Sequence, residues 1–216
     1  MQGQAHWEKV YRTKRPDEVS WYRPHLTLSL TLIETSQAGR DARVIDVGGG
    51  ESTLVDDLLD RGYGHLTVLD VSSTALEVAR ARLGKRASRV EWICADITTA
   101  PLPEGHYDVW HDRAVFHFLT SAEDRAAYVR RVARAVKPGG LVIVATFGPE
   151  GPAKCSGLDV VRYGPDSLHA EFGPRFELAA HYTELHTTPA GAIQQFTYCY
   201  CRQAPAAADA AAGNPA

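Results

Sequence analysis

What this chain lacks narrows it first. Cysteine is scarce: four residues in 216, at Cys94, Cys155, Cys199 and Cys201. That is no disulfide scaffold, so a reduced, cytoplasmic protein is expected. The opening stretch MQGQAHWEKVYRTKR has no apolar core and does not read as a secretory signal. No uninterrupted apolar run approaches the length that a membrane span needs, and no membrane partner is expected. Positive charge is not in excess either. Lys and Arg number 23 against 26 Asp and Glu, a formal charge of −3, which leaves no basic field for a nucleic-acid backbone. No internal repeat is visible. What remains is an ordinary globular composition, 44% apolar and 23% charged. The length suits one domain built on a sheet covered on both faces.

Strand-like and helix-like segments alternate from residue 43 to about residue 147. RVIDV is a buried strand ahead of glycines. STLVDDLLDRG reads as a helix with Leu54, Val55, Leu58 and Leu59 on one face and Gly62 as its stop. HLTVLDV is the second strand. SSTALEVARARLG is a helix capped by Ser72 or Ser73 and ended by Gly84, with Leu76, Ala79 and Leu83 inward. RVEWICAD and HYDVWHD are the third and fourth strands. SAEDRAAYVRRVARAV is a helix striped by Val129, Val132, Ala133 and Val136 and stopped by KPGG, and LVIVATF is the fifth strand.

Apolar strands separated by helices imply a mostly parallel sheet. FELAAHYTELHTT and IQQFTYCYCR, joined through TPAG, read as an antiparallel edge pair. The fold expected is therefore α/β: a single Rossmann-like domain with a mostly parallel seven-stranded sheet and an antiparallel C-terminal pair. LTLSLTLI alternates at period two, as a strand would, but Pro24 before it and Gly39 after it favour a helix. The Ala/Pro-rich tail, residues 203–216, is expected to be disordered. The Arg-rich faces, at Arg80, Arg82, Lys85, Arg86 and Arg89 and from Arg125 to Lys137, read as solvated outer surfaces.

VIDVGGGEST, residues 44–53, asks what stands so close to the backbone that side chains are excluded. In an open parallel sheet, ligands bind at the carboxyl ends of the strands. A glycine loop there cradles either a dinucleotide or S-adenosylmethionine; the plainer alternative is a tight strand-to-helix turn. The dinucleotide pattern G-x-G-x-x-G has Gly48 and Gly50, but Thr53 occupies its third glycine. Asp46, two residues before Gly48, would repel a pyrophosphate and attract an ammonium. Asp70 ends the second strand, placed for both ribose hydroxyls, and Val71 would pack on an adenine face. Asp96, beside Ile97, ends the third strand, where a carboxylate can take an exocyclic amino group. Asp112 ends the fourth. Each acid alone could be a helix cap; four at successive strand ends form a pattern.

VIDVGGGES, VLDVS, ADI, YDVWHD and KPGGLVIVATF together resemble the class I S-adenosylmethionine-dependent methyltransferases, over roughly residues 40–147. The family's third glycine is Ser52 here. HWEKVY, SWYRP and DRAVFHFL extend the resemblance to two branches, the thiopurine and chalcogen methyltransferases and the elongation-factor lysine methyltransferases. The resemblance implies that residues 1–40 form a segment capping the cofactor and residues 41–202 the methyltransferase domain. Cofactor contacts are then expected from Asp46, Gly48, Gly49, Gly50, Asp70, Val71, Asp96, Ile97 and Asp112. Trp7, Tyr11, Trp21 and Tyr22 are expected to form the lid, with the alternative that they simply pack a helix onto the sheet.

Methyl transfer is an in-line displacement that needs a base only if the acceptor must lose a proton. The fourth strand supplies candidates around it: His111, Asp112, Arg113, His117 and Phe118. His117 and Asp112 are the candidate catalytic residues, against a locally bonded histidine and a positioning acid. The Gly/Pro-rich loop at 147–167 brings Lys154, Cys155, Arg162 and Tyr163 toward an acceptor. With Tyr22 and Arg113, these complete the candidate substrate residues. Cys199 and Cys201 with His181 and His186 do not match a zinc spacing, and no metal is expected. The expected activity is methylation of a small-molecule acceptor, a thiol or another soft nucleophile. Its rivals are a protein lysine methyltransferase and a non-catalytic binder of the cofactor.

Overall fold

A computed structural model describes residues 3–205; the tail expected to be disordered lies, from residue 206, outside the described residues. The chain opens with α1 (Gln4–Thr13) and α2 (Thr27–Thr35). The alternating core follows: β1 (Arg43–Val47), α3 (Leu54–Asp60), β2 (His65–Asp70), α4 (Ser73–Leu83), β3 (Val90–Cys94), β4 (Tyr107–Arg113), α5 (Ala122–Ala135) and β5 (Val136–Phe147). A ribbon of β6 (Lys154–Cys155) and β7 (Leu158–Asp159), then α6 (Pro165–Phe172), leads to the hairpin of β8 (Phe176–Thr187) and β9 (Ile193–Gln203).

Seven strands form one sheet in the order β3-β2-β1-β4-β5-β9-β8. The first five pair in parallel, and β9 runs antiparallel to both β5 and β8. The order reverses between β1 and β4. Their carboxyl ends meet there, with Asp46 beside His111 and Val47 beside Asp112.

Both sheet faces are buried, which is why these strands read as continuous apolar runs. One face takes Val44, Val68, Val109 and Ile143 against α1, α2, α3 and α4, and the other takes Ile45, Trp110, Val142 and Val144 against α5 and α6. Ser72 caps α4, its hydroxyl accepting from Ala75 N, and Gly84 ends that helix with φ +58°.

LTLSLTLI is helical, as expected. Its period-two appearance comes from Ser29, a polar residue at a fully buried position of α2. KPGG does not stop α5 in a loop. β5 starts at Val136, pairs with Tyr107, and takes a register irregularity before Leu141 meets Val109. The expected loop at 147–167 is partly ordered by β6 and β7, and its end runs into α6.

Candidate active site

The loop after β1 is held by backbone bonds: Gly48 N and Gly49 N both donate to Leu69 O, at 2.7 and 3.2 Å. Gly48 has φ +69°, and a Cβ on it would stand 2.0 Å from Val115 Cγ2. A Cβ on Gly49 would meet Asp46 Oδ2 at 2.6 Å, and one on Gly50 would meet Asp70 Oδ2 at 2.6 Å. The glycines therefore clear space for two carboxylates and for the loop after β4, which the sequence alone did not indicate. Ser52, in place of a third glycine, accepts from Leu54 N with its hydroxyl at 3.2 Å. Thr53 Oγ1 donates to Pro24 O at 2.9 Å and ties the N-terminal segment to the loop.

Asp46 is buried. His111, its neighbour across the strand pair, bonds Asp46 Oδ1 through Nδ1 at 2.7 Å, and its Nε2 meets Ser29 Oγ at 2.8 Å. Among the described residues, Asp46 Oδ2 has no hydrogen-bond partner, nor has either carboxylate oxygen of buried Glu51. Asp70 accepts from Ser72 N at 2.8 Å. Burial pushes the Asp70 carboxyl up to about 7, with Asp46 adding to the rise and the Ser72 bond opposing it. Burial likewise pushes Glu51 up to about 7, opposed by Arg82 and reinforced by Asp70. Arg82 is no free surface charge: it donates to Glu51 O and Ser52 O at 2.8 and 2.6 Å and pairs with Asp56 at 2.7 Å.

Two adjacent cavities open over this loop, sharing Tyr11, Trp21, Gly48 and Arg113. The first is mostly apolar, walled by Val47, Leu69, Asp70, Val71, Ala95 and Ile97 below and by Trp7, Val115, Phe118 and Cys155 opposite. The second carries Asp46, Glu51, Ser52, His111, Tyr22 and Arg23. The roof is an aromatic cluster: Trp7 lies 5.0 Å from Phe118 and 6.0 Å from Trp21, ring to ring, and Tyr11 lies 6.4 Å from Trp21. Glu8 fastens α1 to the start of α4, accepting from Ser73 N at 2.7 Å and from the hydroxyls of Ser73 and Thr74.

Arg113 secures the segment behind Trp21. Its side chain is 5% exposed and pairs with Glu184 at 3.2 Å. It also donates to Tyr198 Oη at 3.2 Å and to Trp21 O at 3.2 Å, and stacks 4.1 Å over the Phe196 ring. Arg23 Nε donates to His186 Nδ1 at 3.0 Å, while His186 Nε2 donates to Ser20 O at 2.7 Å.

Of the expected site residues, Trp7, Tyr11, Trp21, Tyr22, Asp46, Gly48, Asp70, Val71, Ile97, Arg113 and Cys155 line these cavities. Gly49 and Gly50 lie behind the loop and serve the carboxylates. Others are placed elsewhere, each for a physical reason. Asp112 is fully buried and accepts from Val115 N, Phe116 N and Tyr128 Oη, so it shapes the loop after β4 and has no oxygen left for chemistry. His117 is fully buried between Phe118 and Phe147 and accepts from Phe147 N at 3.2 Å. Burial pulls it down to about 3, with Arg113 adding to the drop, which unsuits it as a base. Asp96 spends Oδ1 on Thr98 N and Thr98 Oγ1, and its neighbours Ala95 and Ile97 form the wall instead. Arg162 donates to Pro149 O and Gly151 O, while Tyr163 is buried against Phe116. Lys154 is exposed and pairs with Asp159. His186 faces the opposite side of the sheet from Cys199, Cys201 and His181, as the β8–β9 register dictates. Glu51, Val115 and Ala95 were not anticipated; Glu51 announced itself only as one more acid after the glycines.

A family model described as "Methyltransferase domain" matches residues 44–140. The ubiquinone/menaquinone biosynthesis C-methyltransferase UbiE of Azotobacter vinelandii is 34% identical over 119 residues, covering 53% of this chain and 46% of that protein. The eEF1A lysine and N-terminal methyltransferase of Danio rerio is 28% identical over 148 residues, 67% of this chain and 21% of that protein. The chain thus spans less than half the length of either relative. Among solved structures, one described as "Conversion of a Disulfide Bond into a Thioacetal Group during Echinomycin Biosynthesis" superposes with a TM-score of 0.77 at 20% identity, over 93% of both chains. A SAM-dependent methyltransferase from Anabaena variabilis superposes with a TM-score of 0.71 at 16% identity, over 93% of both. Sheet order, glycine loop and sequence likeness agree: residues 44–140 are a methyltransferase domain, and its fold is that of the class I S-adenosylmethionine-dependent methyltransferases.

Proposed function

We propose that the chain transfers a methyl group from S-adenosylmethionine to a small-molecule acceptor whose reacting atom is sulfur or another soft nucleophile. The cofactor suits the donors present. Asp70 at the end of β2 meets ribose hydroxyls, and Val71, Ala95 and Ile97 make an apolar wall for adenine. The unpartnered oxygens of Asp46 and Glu51 call for a cation. When bound, S-adenosylmethionine supplies a methyl group on a sulfonium already activated for displacement.

The observation that carries the acceptor reading is the wall opposite the nucleoside side. It is built from Trp7, Trp21, Val115, Phe118 and Cys155. Burial pushes Tyr11 well above its ordinary value and Cys155 up to about 11. Such a wall orients and desolvates an acceptor but does not take its proton. It favours acceptors that arrive nucleophilic, as thiolates do near neutral pH. The enclosing aromatic rings and the clamped segment at 20–23 admit a small molecule more readily than a folded protein surface. The structural likeness to a protein of disulfide-to-thioacetal chemistry supports sulfur as the reacting atom.

A lysine acceptor is the second reading. Aromatic faces such as Trp7 and Trp21 attract ammonium groups, and a relative named as a lysine methyltransferase matches 67% of this chain. Methyl-labelled S-adenosylmethionine is incubated with the protein, a panel of alkyl and aryl thiols, and a cell extract, then separated by size. Label on the thiols or in the low-mass fraction is the expected result. Label confined to a protein band would replace the small-molecule reading with the lysine one.

A further inference from the structure

Leu178, Tyr182, Leu185 and Ile193 are the exposed large apolar side chains among the described residues, and all four lie on the β8–β9 hairpin. Leu185 and Ile193 are 62% and 68% exposed. Apolar exposure concentrated in one place marks a contact surface. Its place in the sheet says of which kind. β8 is the outermost strand and pairs with β9 alone. Where the hairpin closes, Thr188 N donates to Ala192 O at 2.8 Å. Bonded and non-bonded pairs alternate along an antiparallel ladder. The backbone groups of Glu184 and His186 therefore face β9, and those of Thr183, Leu185 and Thr187 turn outward. Arg23 Nη2 reaches Leu185 O only at 3.5 Å, the outer limit of a hydrogen bond.

Edge strands are usually blunted by lysine, by proline or by shortness, because a row of free N–H and C=O groups templates another strand. β8 runs for 12 residues, FELAAHYTELHT, without Lys, Arg or Pro. The other edge, β3, has 5 residues, with Arg89 just before it and Glu91 within it. Two features make the strand that β8 takes the β8 of a second copy. One is closure. Each copy has one long free edge, so pairing the two leaves the short β3 at both ends of the joined sheet, and assembly stops at two, as two-fold symmetry requires. The other is charge. Glu184 is spent on Arg113 and Arg23, which leaves Glu177 as the acid of β8 without an ion pair among the described residues. Antiparallel pairing carries the two Glu177 to opposite ends of a strand about 40 Å long, whereas a parallel pairing would set one against the other.

We propose that the protein forms a two-fold dimer in which β8 pairs antiparallel with β8 of a second copy, joining the two sheets into one. The inference is independent of the cofactor and of the acceptor. It bears on the site nonetheless: the strand so covered carries Glu184, which holds Arg113 and Arg23 behind the roof of the cavities. One strand pair with a few apolar side chains is a small interface, so association in the micromolar range is expected.

The test is light scattering on the full chain as it elutes from a sizing column, from about 1 to about 100 μM, with hydrogen exchange followed in parallel. Twice the chain mass is expected at the upper end, together with exchange that slows with concentration at the amides of Thr183, Leu185 and Thr187. Leu185→Lys sets a charge on the edge and should weaken self-association by about tenfold or more, while its far-ultraviolet circular dichroism stays that of the parent. Thr183→Pro removes an outward donor and spares the ladder to β9, and it should act in the same way. If the proline prevents folding, Leu185→Lys and the exchange pattern still decide. A single-chain mass throughout the range overturns the inference. So does a dimer that survives Leu185→Lys or leaves the β8 amides unprotected, and so do species that grow beyond two copies with concentration.

Discussion

Asp112 accepts from Val115 N, Phe116 N and Tyr128 Oη, whereas Asp46 gives one oxygen to His111 and keeps the other free. Equivalent strand ends thus hold one acid that shapes a loop and one that lines a cavity. Asp112→Asn should cost about 2 kcal/mol of stability, because one of its oxygens becomes a buried donor facing backbone N–H groups. The loss is read from a denaturant midpoint. Asp70→Asn should instead weaken S-adenosylhomocysteine by about tenfold, the scale of one charge-assisted bond, with little change in that midpoint. Glu51 adds a pH signature. A carboxyl raised from 4.5 to about 7 in the folded state destabilises the free protein progressively as pH climbs from about 4.5 through 7. The melting temperature of Glu51→Gln should therefore gain on that of the parent between pH 5 and pH 8. A constant difference across that range would refute the assignment. The sequence made the strand-end acids legible, because glycine loops and apolar runs fix where strands stop. It could not make their partners legible. Ser29 reaches His111 from 82 residues away, and Tyr128 reaches Asp112 from the buried face of α5. His117 was misread for the same reason: its isolation between two phenylalanines exists only after folding.

At the scale of elements, α1 lines the first cavity and is latched to α4. Its inner face buries Trp7, Val10 and Tyr11, and Glu8 sets a carboxylate on the N-terminus of α4, where unpaired N–H groups and the helix dipole favour an anion. Burial pulls the Glu8 carboxyl up, but bonds from Thr74 and Ser73 outweigh it and hold the group below its ordinary value. The latch is therefore in place above about pH 4.5 and is lost as pH falls further. Glu8→Ala should loosen α1 without unfolding the sheet. Cleavage by trypsin at Arg12 or Lys14 should accelerate while the circular dichroism of the core stays unchanged. Unaltered cleavage would mean that the aromatic contacts alone hold the helix. Most elements were legible because apolar period and capping residues agree, as in α4 between Ser72 and Gly84. Two cases stand apart. Ser29 gives α2 the look of a strand, and α6 carries Pro165 at its start and Gly173 at its end, yet it is too short to show a period.

For the whole molecule, the network around Glu184 joins distant parts of the chain. Glu184 on β8 holds Arg113 on β4 and Arg23 on the N-terminal segment, and Tyr198 on β9 shares it. Removing one partner of a buried pair strands the other. Glu184→Gln should lower stability by about 3 kcal/mol and weaken cofactor binding, although Glu184 lines neither cavity. A denaturant titration and a calorimetric affinity, measured on one preparation, check both. Stability lost with affinity intact would confine the network to scaffolding. The same connectivity bears on synthesis. The glycine loop and strands β1 to β4 leave the ribosome well before β8 and β9, at roughly 5–20 residues per second. Until Glu184 and Tyr198 emerge, Arg113 has no counter-charge and the segment carrying Trp21 has no anchor. A nascent chain carries its ligand-binding motif for several seconds before it can close a roof over it, and a ribosome stalled ahead of residue 184 would display the motif open.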